Sequence, residues 1–434
     1  MRFLPKSSDS SKSNVTQKTS LKMVACFDID LDVIKVSLTV LKKENFEIIK
    51  CIQRPVKFQS SDEYLLKAND LIKACQKALS QATKGLSAKL SGFSLALGGG
   101  FIQAITQRDK IRRSNPQVAL DVDELKQFMQ NNQVAARQKA LTKMEFNQQI
   151  HNVDLVALDR SLIGFTLDSQ LYPKLIGQSA NFVSLGFYHS FIDQRYRQLV
   201  QDLKVALKLP IIKLASKPFA VGQGWLRLQK AQATKDSGLI LHMEADTTYV
   251  AIVHGGILFA NQMFNIGWWH FQAALNRDLE EGNQSIDITL MDDNSAFDLS
   301  QLSKSQRQAV LKSINQTLKV WLKALALVLE DLNLTFLPHQ IYLTGYLSNF
   351  DLASQTLTKL NWFDLGVFKD KPTVQTLNFN QLSSRLPAEI MNRGSLAVNI
   401  GLSQLSWDKF HNCDYYITLP DLYELKIKKE SLKK

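Results

Sequence analysis

DSGLILHMEADTTYVAIVHGGILFANQMFNIGWWHF, residues 236–271, holds three short apolar runs at 239–243, 249–253 and 257–264. The polar stretch Glu244-Ala245-Asp246-Thr247-Thr248 parts the first two, and His254-Gly255-Gly256 parts the last two. Short apolar runs broken by turn chemistry predict a three-stranded antiparallel meander. Another such unit stands near the N-terminus, with runs at 24–29, 33–41 and 46–53. Its turns are Asp28-Ile29-Asp30-Leu31-Asp32 and Lys42-Lys43-Glu44-Asn45. One β-unit therefore occurs twice, about two hundred residues apart, and a duplicated unit sets architecture before any single motif does.

At 434 residues the chain is too long for one ordinary core, so two to three domains are expected. Its 45% hydrophobic and 21% charged residues are those of a soluble globular protein. No run of about 18 apolar residues occurs, and MRFLPKSSDSSKS has no apolar centre of signal-peptide length, so the expected location is the cytoplasm. Cys26, Cys51, Cys75 and Cys413 are widely spaced, and neither they nor the seven histidines show metal-ligand spacing, so no metal site is expected. The 52 Lys+Arg against 40 Asp+Glu give +12, which favours anionic surfaces in general. No basic stripe with interleaved aromatics accompanies it, and nucleic acid is not an expected partner.

Residues 1–21 are rich in Ser and Lys without periodicity and read as a disordered arm. Leu65, Leu66, Ala68, Leu71, Ile72, Cys75, Ala78 and Leu79 predict a helix over 64–83 on the first sheet. Residues 93–106 read as a strand pair broken by Gly98-Gly99-Gly100, a permissive turn since no helix and no Lys-Ser/Thr follows it. A helix from near Asp121, strands over 153–167 and 181–191, and a helix over 194–207 come next. The β-α-β-β block at 95–192 reads as a module set into the first domain, which comprises 22–94 and 193–229.

Residues 209–224, with Pro210 and Pro218, read as a strand-like run, and KAQATKDSG at 230–238 as a linker. The second domain is expected at 236–405. It contains a polar, acidic segment at 278–300 and a long helix whose Val310, Leu311, Ile314, Leu318, Trp321, Leu322, Leu325, Val328, Leu329 and Leu332 hold a helical period for about six turns. A strand over 339–347 and apolar segments at 374–379 and 395–405 close it. The tail 406–434 ends LPDLYELKIKKESLKK, with leucines loosely on one side and five lysines less Glu430 in the last nine residues. The resulting +4 gives at most about 4 kcal/mol of attraction to an anionic leaflet.

In this order the pieces resemble the branch of the actin superfamily that contains the cell-division protein FtsA and the pilus-assembly protein PilM, over about residues 22–405. The family's first phosphate loop has the pattern D-I-G-S-S-S-I-K-V, and here stands Asp28-Ile29-Asp30-Leu31-Asp32-Val33-Ile34-Lys35-Val36. The pattern of its other phosphate loop is D-I-G-G-G-T-T-D-V-A-V, followed by I-G-G. Here that loop reads His242-Met243-Glu244-Ala245-Asp246-Thr247-Thr248-Tyr249-Val250-Ala251-Ile252, then Ile266-Gly267-Trp268. The adenosine loop L-T-G-G-x-S appears as Leu343-Thr344-Gly345-Tyr346-Leu347-Ser348.

The resemblance implies an α/β chain with the actin-like ATPase fold, two RNase H-like domains carrying an inserted β-α-β-β subdomain. It implies a nucleotide cleft made by Asp28, Asp30, Lys35, Asp246, Thr247, Thr248, Gly267, Gly345 and Ser348, reduced here to a vestige. Phosphate loops need glycine because backbone N–H groups must approach the anion closely. Asp30 replaces the first loop's glycine, and Glu244, Ala245 and Asp246 replace all three in the second. A carboxylate about 4 Å from a phosphate charge costs roughly 4 kcal/mol at an effective dielectric of about 20. His242 stands where active relatives carry an acidic residue. ATP with Mg2+ is therefore expected to bind weakly at most, and hydrolysis to be lost.

Residues 165–177, FTLDSQLYPKLIG, resemble the insert of FtsA, whereas 374–379 with 396–402 are similar to PilM's closing strands. Length and insert favour the first. The expectation is an FtsA-like division scaffold linking an FtsZ-like filament tail to the inner membrane. A PilM-like cytoplasmic component of type IV pilus assembly is the alternative, and an active ATPase a further one. The resemblance also implies self-association into filaments and peripheral contact with an anionic membrane through 419–434.

Overall fold

The computed structural model describes residues 22–99, 102–148, 154–170, 175–232, 237–254, 257–281, 303–332, 337–349, 371–377 and 396–411, with a few single positions besides. The N-terminal arm, most of the acidic segment and the basic tail beyond residue 411 lie outside the described residues.

Both meanders form where the apolar runs place them. The first is β1 (Lys22–Ile29), β2 (Val33–Leu41) and β3 (Phe46–Pro55); the second is β9 (Gly238–Met243), β10 (Thr248–His254) and β11 (Ile257–Phe264). To the first are added β4 (Leu90–Leu97) and β8 (Ile211–Ser216), both parallel to the strands they join, giving the order β3-β2-β1-β4-β8. To the second are added β12 (Gln340–Gly345) and β13 (Thr373–Thr376), giving β11-β10-β9-β12-β13, again with the two late strands parallel. The two sheets share one topology, an antiparallel meander extended by two parallel strands, so the duplication extends beyond the meanders.

Between β4 and β8 the chain detours through β5 (Ile102–Arg112), α3 (Val122–Gln148), β6 (Leu155–Leu167) and β7 (Phe182–Asp193). Their three-stranded sheet, ordered β5-β7-β6, is the expected inserted module. Helices α1 (Ser61–Leu66), α2 (Ala68–Thr83) and α4 (Gln194–Leu207) bury one face of the first sheet through residues such as Leu71, Cys75, Tyr196 and Leu203. On the far face of the second sheet lie α6 (Trp268–Glu281) and α7 (Lys304–Asp331). The α7 stripe of Val310, Ile314, Leu318, Trp321, Leu322, Leu325 and Leu329 is core, as its period predicts. Each such buried aliphatic side chain contributes roughly 1.5–3 kcal/mol. Ser303 and Gln306 close a capping box at its start.

Two helices differ from the sequence expectation. The strand-like run 209–224 is β8 followed by α5 (Lys217–Gln232), with Pro218 in the first turn, where its missing N–H costs nothing. This helix also takes up the first residues of the expected linker. The segment 395–405, expected as a strand closing the second domain, is the start of α9 (Ala397–His411), which runs into the expected tail. It lies on the first sheet: Asn399 Nδ2 donates to Cys26 O at 3.0 Å, and the hydroxyls of Ser403 and Ser406 pair with those of Thr39 and Ser94 at 2.7 Å each. The reason is shared. Residues 397–406 of α9 are buried on every side, as are 217–226 of α5, and a helix buried all round shows no amphipathic period. The two helices fill the space between the sheets and cross at Gly401, where a Cβ would stand 1.7 Å from Ala220 O. After β12 the chain turns directly into the short helix α8 (Tyr346–Asn349) rather than extending the strand to 347.

Candidate functional site: the cleft between the two sheets

The carboxyl ends of β1, β4 and β8 in one lobe face those of β9 and β12 in the other, the place where open α/β sheets take ligands. Strand register fixes the side chains there. Asp28 is opposite Lys35 across the β1–β2 hairpin, His242 opposite Tyr249 and Met243 opposite Thr248 across β9–β10, and Gly345 pairs with Met243.

At the centre is Lys217, the only charged residue of 214–226 and the first residue of α5. Its ammonium lies 2.6 Å from Glu244 Oε1 and 3.1 Å from Asp28 Oδ1, with the three side chains at most 3% exposed. Lys35 Nζ approaches Asp28 Oδ2 at 3.7 Å, and His242 Nε2 lies 3.3 Å from Glu244 Oε1. Asp30 accepts from Leu31 N at 2.8 Å with one oxygen and from Ala245 N at 3.3 Å with the other, which joins the first loop to the second. Tyr346 donates its hydroxyl to Asp32 and stacks on Trp268 with ring centroids 5.8 Å apart. The triple-glycine turn joins the cleft as well: Gly99 N donates to the Tyr249 hydroxyl at 2.7 Å.

Burial and charge set the protonation of this group. Burial alone would lift the Asp28 carboxyl, but Lys217 and Lys35 together hold it below its ordinary range. For Lys217 burial works against the charge and is overcome by Asp28, Glu244 and Asp30, so the ammonium is held protonated. Burial and the Glu244 charge lift Asp30 to about 7. Glu244 rises to about 7 by burial, with Lys217 opposing. His242 falls to about 3 through burial and the Lys35 charge, so its ring is neutral.

The remaining expected residues divide. The Thr247 hydroxyl donates to Asp246 Oδ1 at 2.9 Å within the second loop. Thr248 turns into the lobe, donating to Ile266 O at 2.6 Å and accepting from Trp321 Nε1 at 3.0 Å. Gly267 presses on the second loop, where a Cβ would stand 2.5 Å from Glu244 O and Thr247 N. Gly345, at φ +68°, lies so close to Met243 that a Cβ would be 2.2 Å from its carbonyl oxygen. Ser348 donates to Gly345 O at 2.6 Å and so serves its own turn. Lys217 was missing from the expected set. Its sequence signal is a lone charge in an apolar run immediately before a proline.

Mg-ATP is the ligand that the fold would place here, and these residues do not fit it. A phosphate loop must present free N–H groups, yet Asp30 N donates to Val33 O, Leu31 N to Asp30, Glu244 N to Thr247 O and Ala245 N to Asp30. Three buried carboxyl groups, those of Asp28, Asp30 and Glu244, stand around that position. Among the described residues no group of three or more His, Cys, Asp or Glu side chains is arranged to hold a metal ion. No described helix is long and apolar enough to cross a membrane.

No family model and no curated protein matches the chain. Solved structures do. A chain of a PilM–PilN type IV pilus biogenesis complex aligns with 89% of this chain and 98% of its own at 16% identity and a TM-score of 0.58. The ethanolamine utilization protein EutJ from Carboxydothermus hydrogenoformans aligns over 88% and 89% at 12% identity and a TM-score of 0.44. A protein of unknown function with an actin-like ATPase fold from Bacteroides thetaiotaomicron aligns over 84% and 95% at 10% identity and 0.37. With its two sheets of one topology, the meander of each extended by two parallel strands around a central cleft, the chain has the actin-like ATPase fold.

Proposed function

We propose that the chain is a non-catalytic actin-like scaffold that works beside a pilus-assembly protein at the inner face of the plasma membrane. The observation that carries the assembly role is the match to the PilM–PilN chain, which spans nearly all of both molecules. The non-catalytic part is supported by the cleft, whose loop amides and charges are taken up by one another. A scaffold needs a defined surface and no turnover, and the cleft suits that. The test is deletion of the gene in its native host, scored for surface pili and cell length. Loss of pili at normal cell length is the expected result. Long, undivided cells with pili intact would replace this reading with a division scaffold of the FtsA kind.

A further inference from the structure

Four links run straight from one lobe to the other across the cleft. They are Lys217 to Glu244 at 2.6 Å, Ala245 N to Asp30 at 3.3 Å, Gly99 N to the Tyr249 hydroxyl at 2.7 Å, and the Tyr346 hydroxyl to Asp32. The inserted module adds a further line of attachment. Arg108 donates to Phe259 O at 3.1 Å with its guanidinium over the Phe259 ring, and Lys143 pairs with Asp331 at 3.0 Å.

We propose that the buried group Asp28, Lys217 and Glu244 is a built-in clamp that stands in for a nucleotide and holds the two lobes closed at all times. This rests on the non-catalytic reading above. A ligand between two lobes favours closure only by binding the closed form better than the open one. Here the chain supplies that difference itself. Lys35 and Lys217 from the first lobe bring positive charge to the cleft, Asp28 balances part of it from the same lobe, and Glu244 from the second lobe balances more only when the lobes meet. The neutral His242 ring and the Tyr249 ring stack at 6.0 Å behind Glu244 and keep the position dry. Removing the ammonium would leave two carboxyl groups buried against each other in the closed form, and that form would then be the one disfavoured.

Hydrogen exchange on the full chain tests this, because Gly99 and Ala245 donate their amide hydrogens across the cleft. Peptides covering these amides are expected to be protected without any nucleotide and unchanged by millimolar Mg-ATP. In Lys217→Met they are expected to exchange at least tenfold faster, and by a larger factor than α7 peptides do. Three results would overturn the clamp: unprotected cleft amides in the wild-type chain, protection that arrives only with Mg-ATP, or an unchanged rate in Lys217→Met. Should that variant fail to fold, the wild-type comparison with and without nucleotide still decides. A host strain that keeps its pili on deletion would remove the assembly role and leave the exchange result standing, so the two readings fail separately.

Discussion

Lys217 Nζ and Glu244 Oε1 lie 2.6 Å apart, although one begins the helix that follows the last strand of the first sheet and the other begins the turn of the second. Both are buried, so Lys217 depends on Glu244 and Asp28 for its charge and Glu244 depends on Lys217 for its own. Removing one partner of such a group typically costs roughly 3–5 kcal/mol, because the charge left behind has no water to turn to. Lys217→Met is expected to lower the urea midpoint accordingly, and Lys217→Met combined with Glu244→Gln to regain part of the loss. A shift below about 0.5 kcal/mol, the size of an ordinary surface change, would mean the pair contributes little.

The same group makes stability depend on pH. Asp30 is lifted from an ordinary 3.8 to about 7 and Glu244 from 4.5 to about 7, so between about pH 4 and 7 the folded chain holds protons that the unfolded chain has released. The contribution of these two carboxyl groups therefore falls as pH rises through that window and levels off above it, with about 1.4 kcal/mol for each pH unit of lift in a fully coupled site. His242, pushed by burial from 6.5 to about 3, and His189, pushed by burial from 6.5 to about 4, act in the opposite sense up to about pH 6.5, whereas Asp28, held low by Lys217 and Lys35, does so only below its ordinary range. Because the carboxyls and the histidines oppose each other up to about pH 6.5, the thermal midpoint of Asp30→Asn, which keeps a neutral side chain at all pH values, is expected to gain on that of the wild-type chain as pH rises from 5 to 7. A difference between the two midpoints that stays constant with pH would contradict the assignment.

The crossing of α5 and α9 predicts a third effect. At Gly401 even a methyl group would drive into the Ala220 carbonyl, which is backbone and has no rotamer by which to retreat. Gly401→Ala is expected to cost about 1–3 kcal/mol or more, as overpacking does elsewhere. Val205→Ala on the exposed face of α4 is the control, since that side chain is 74% exposed and its loss is expected to stay within about 0.5 kcal/mol.

What could be read from the sequence followed burial geometry. The strands β1 to β3 and β9 to β11 announce themselves because turn residues interrupt short apolar runs, and α7 because only one of its faces is buried. Helices α5 and α9 have no polar face over most of their length, so their period is invisible and they read as strands. Of the cleft, Asp28, Asp30 and Lys35 were legible through the turn that carries them. Lys217 was not, because its partners Asp28 and Glu244 lie far away in the chain and only the fold brings them together. Thr248 and Ser348 fit the motif by position, yet their hydroxyls serve Ile266 O and Gly345 O rather than the cleft.

Nucleotide itself is expected to be refused. Titration calorimetry of the full chain with Mg-ATP is expected to give no saturable heat up to millimolar concentration, a limit equivalent to a binding free energy weaker than about 4 kcal/mol. The reason is competition. To admit a triphosphate the chain would have to give up the Ala245–Asp30 hydrogen bond and part the Lys217–Glu244 pair, then bring the phosphates beside the carboxyl groups of Asp28, Asp30 and Glu244. Each ionised carboxylate close to a phosphate costs on the order of 4 kcal/mol at the dielectric of a partly buried site. Lys217 and Lys35 could repay that only by leaving Asp28, which would then stand buried and unpaired. Replacing Glu244 by Gly removes one carboxylate and restores one loop glycine, but it also removes the partner that Lys217 holds across the cleft. Glu244→Gly is accordingly expected to loosen the lobes without bringing nucleotide affinity above the same limit, and micromolar binding by either the wild-type chain or this variant would show that the cleft can still take ATP.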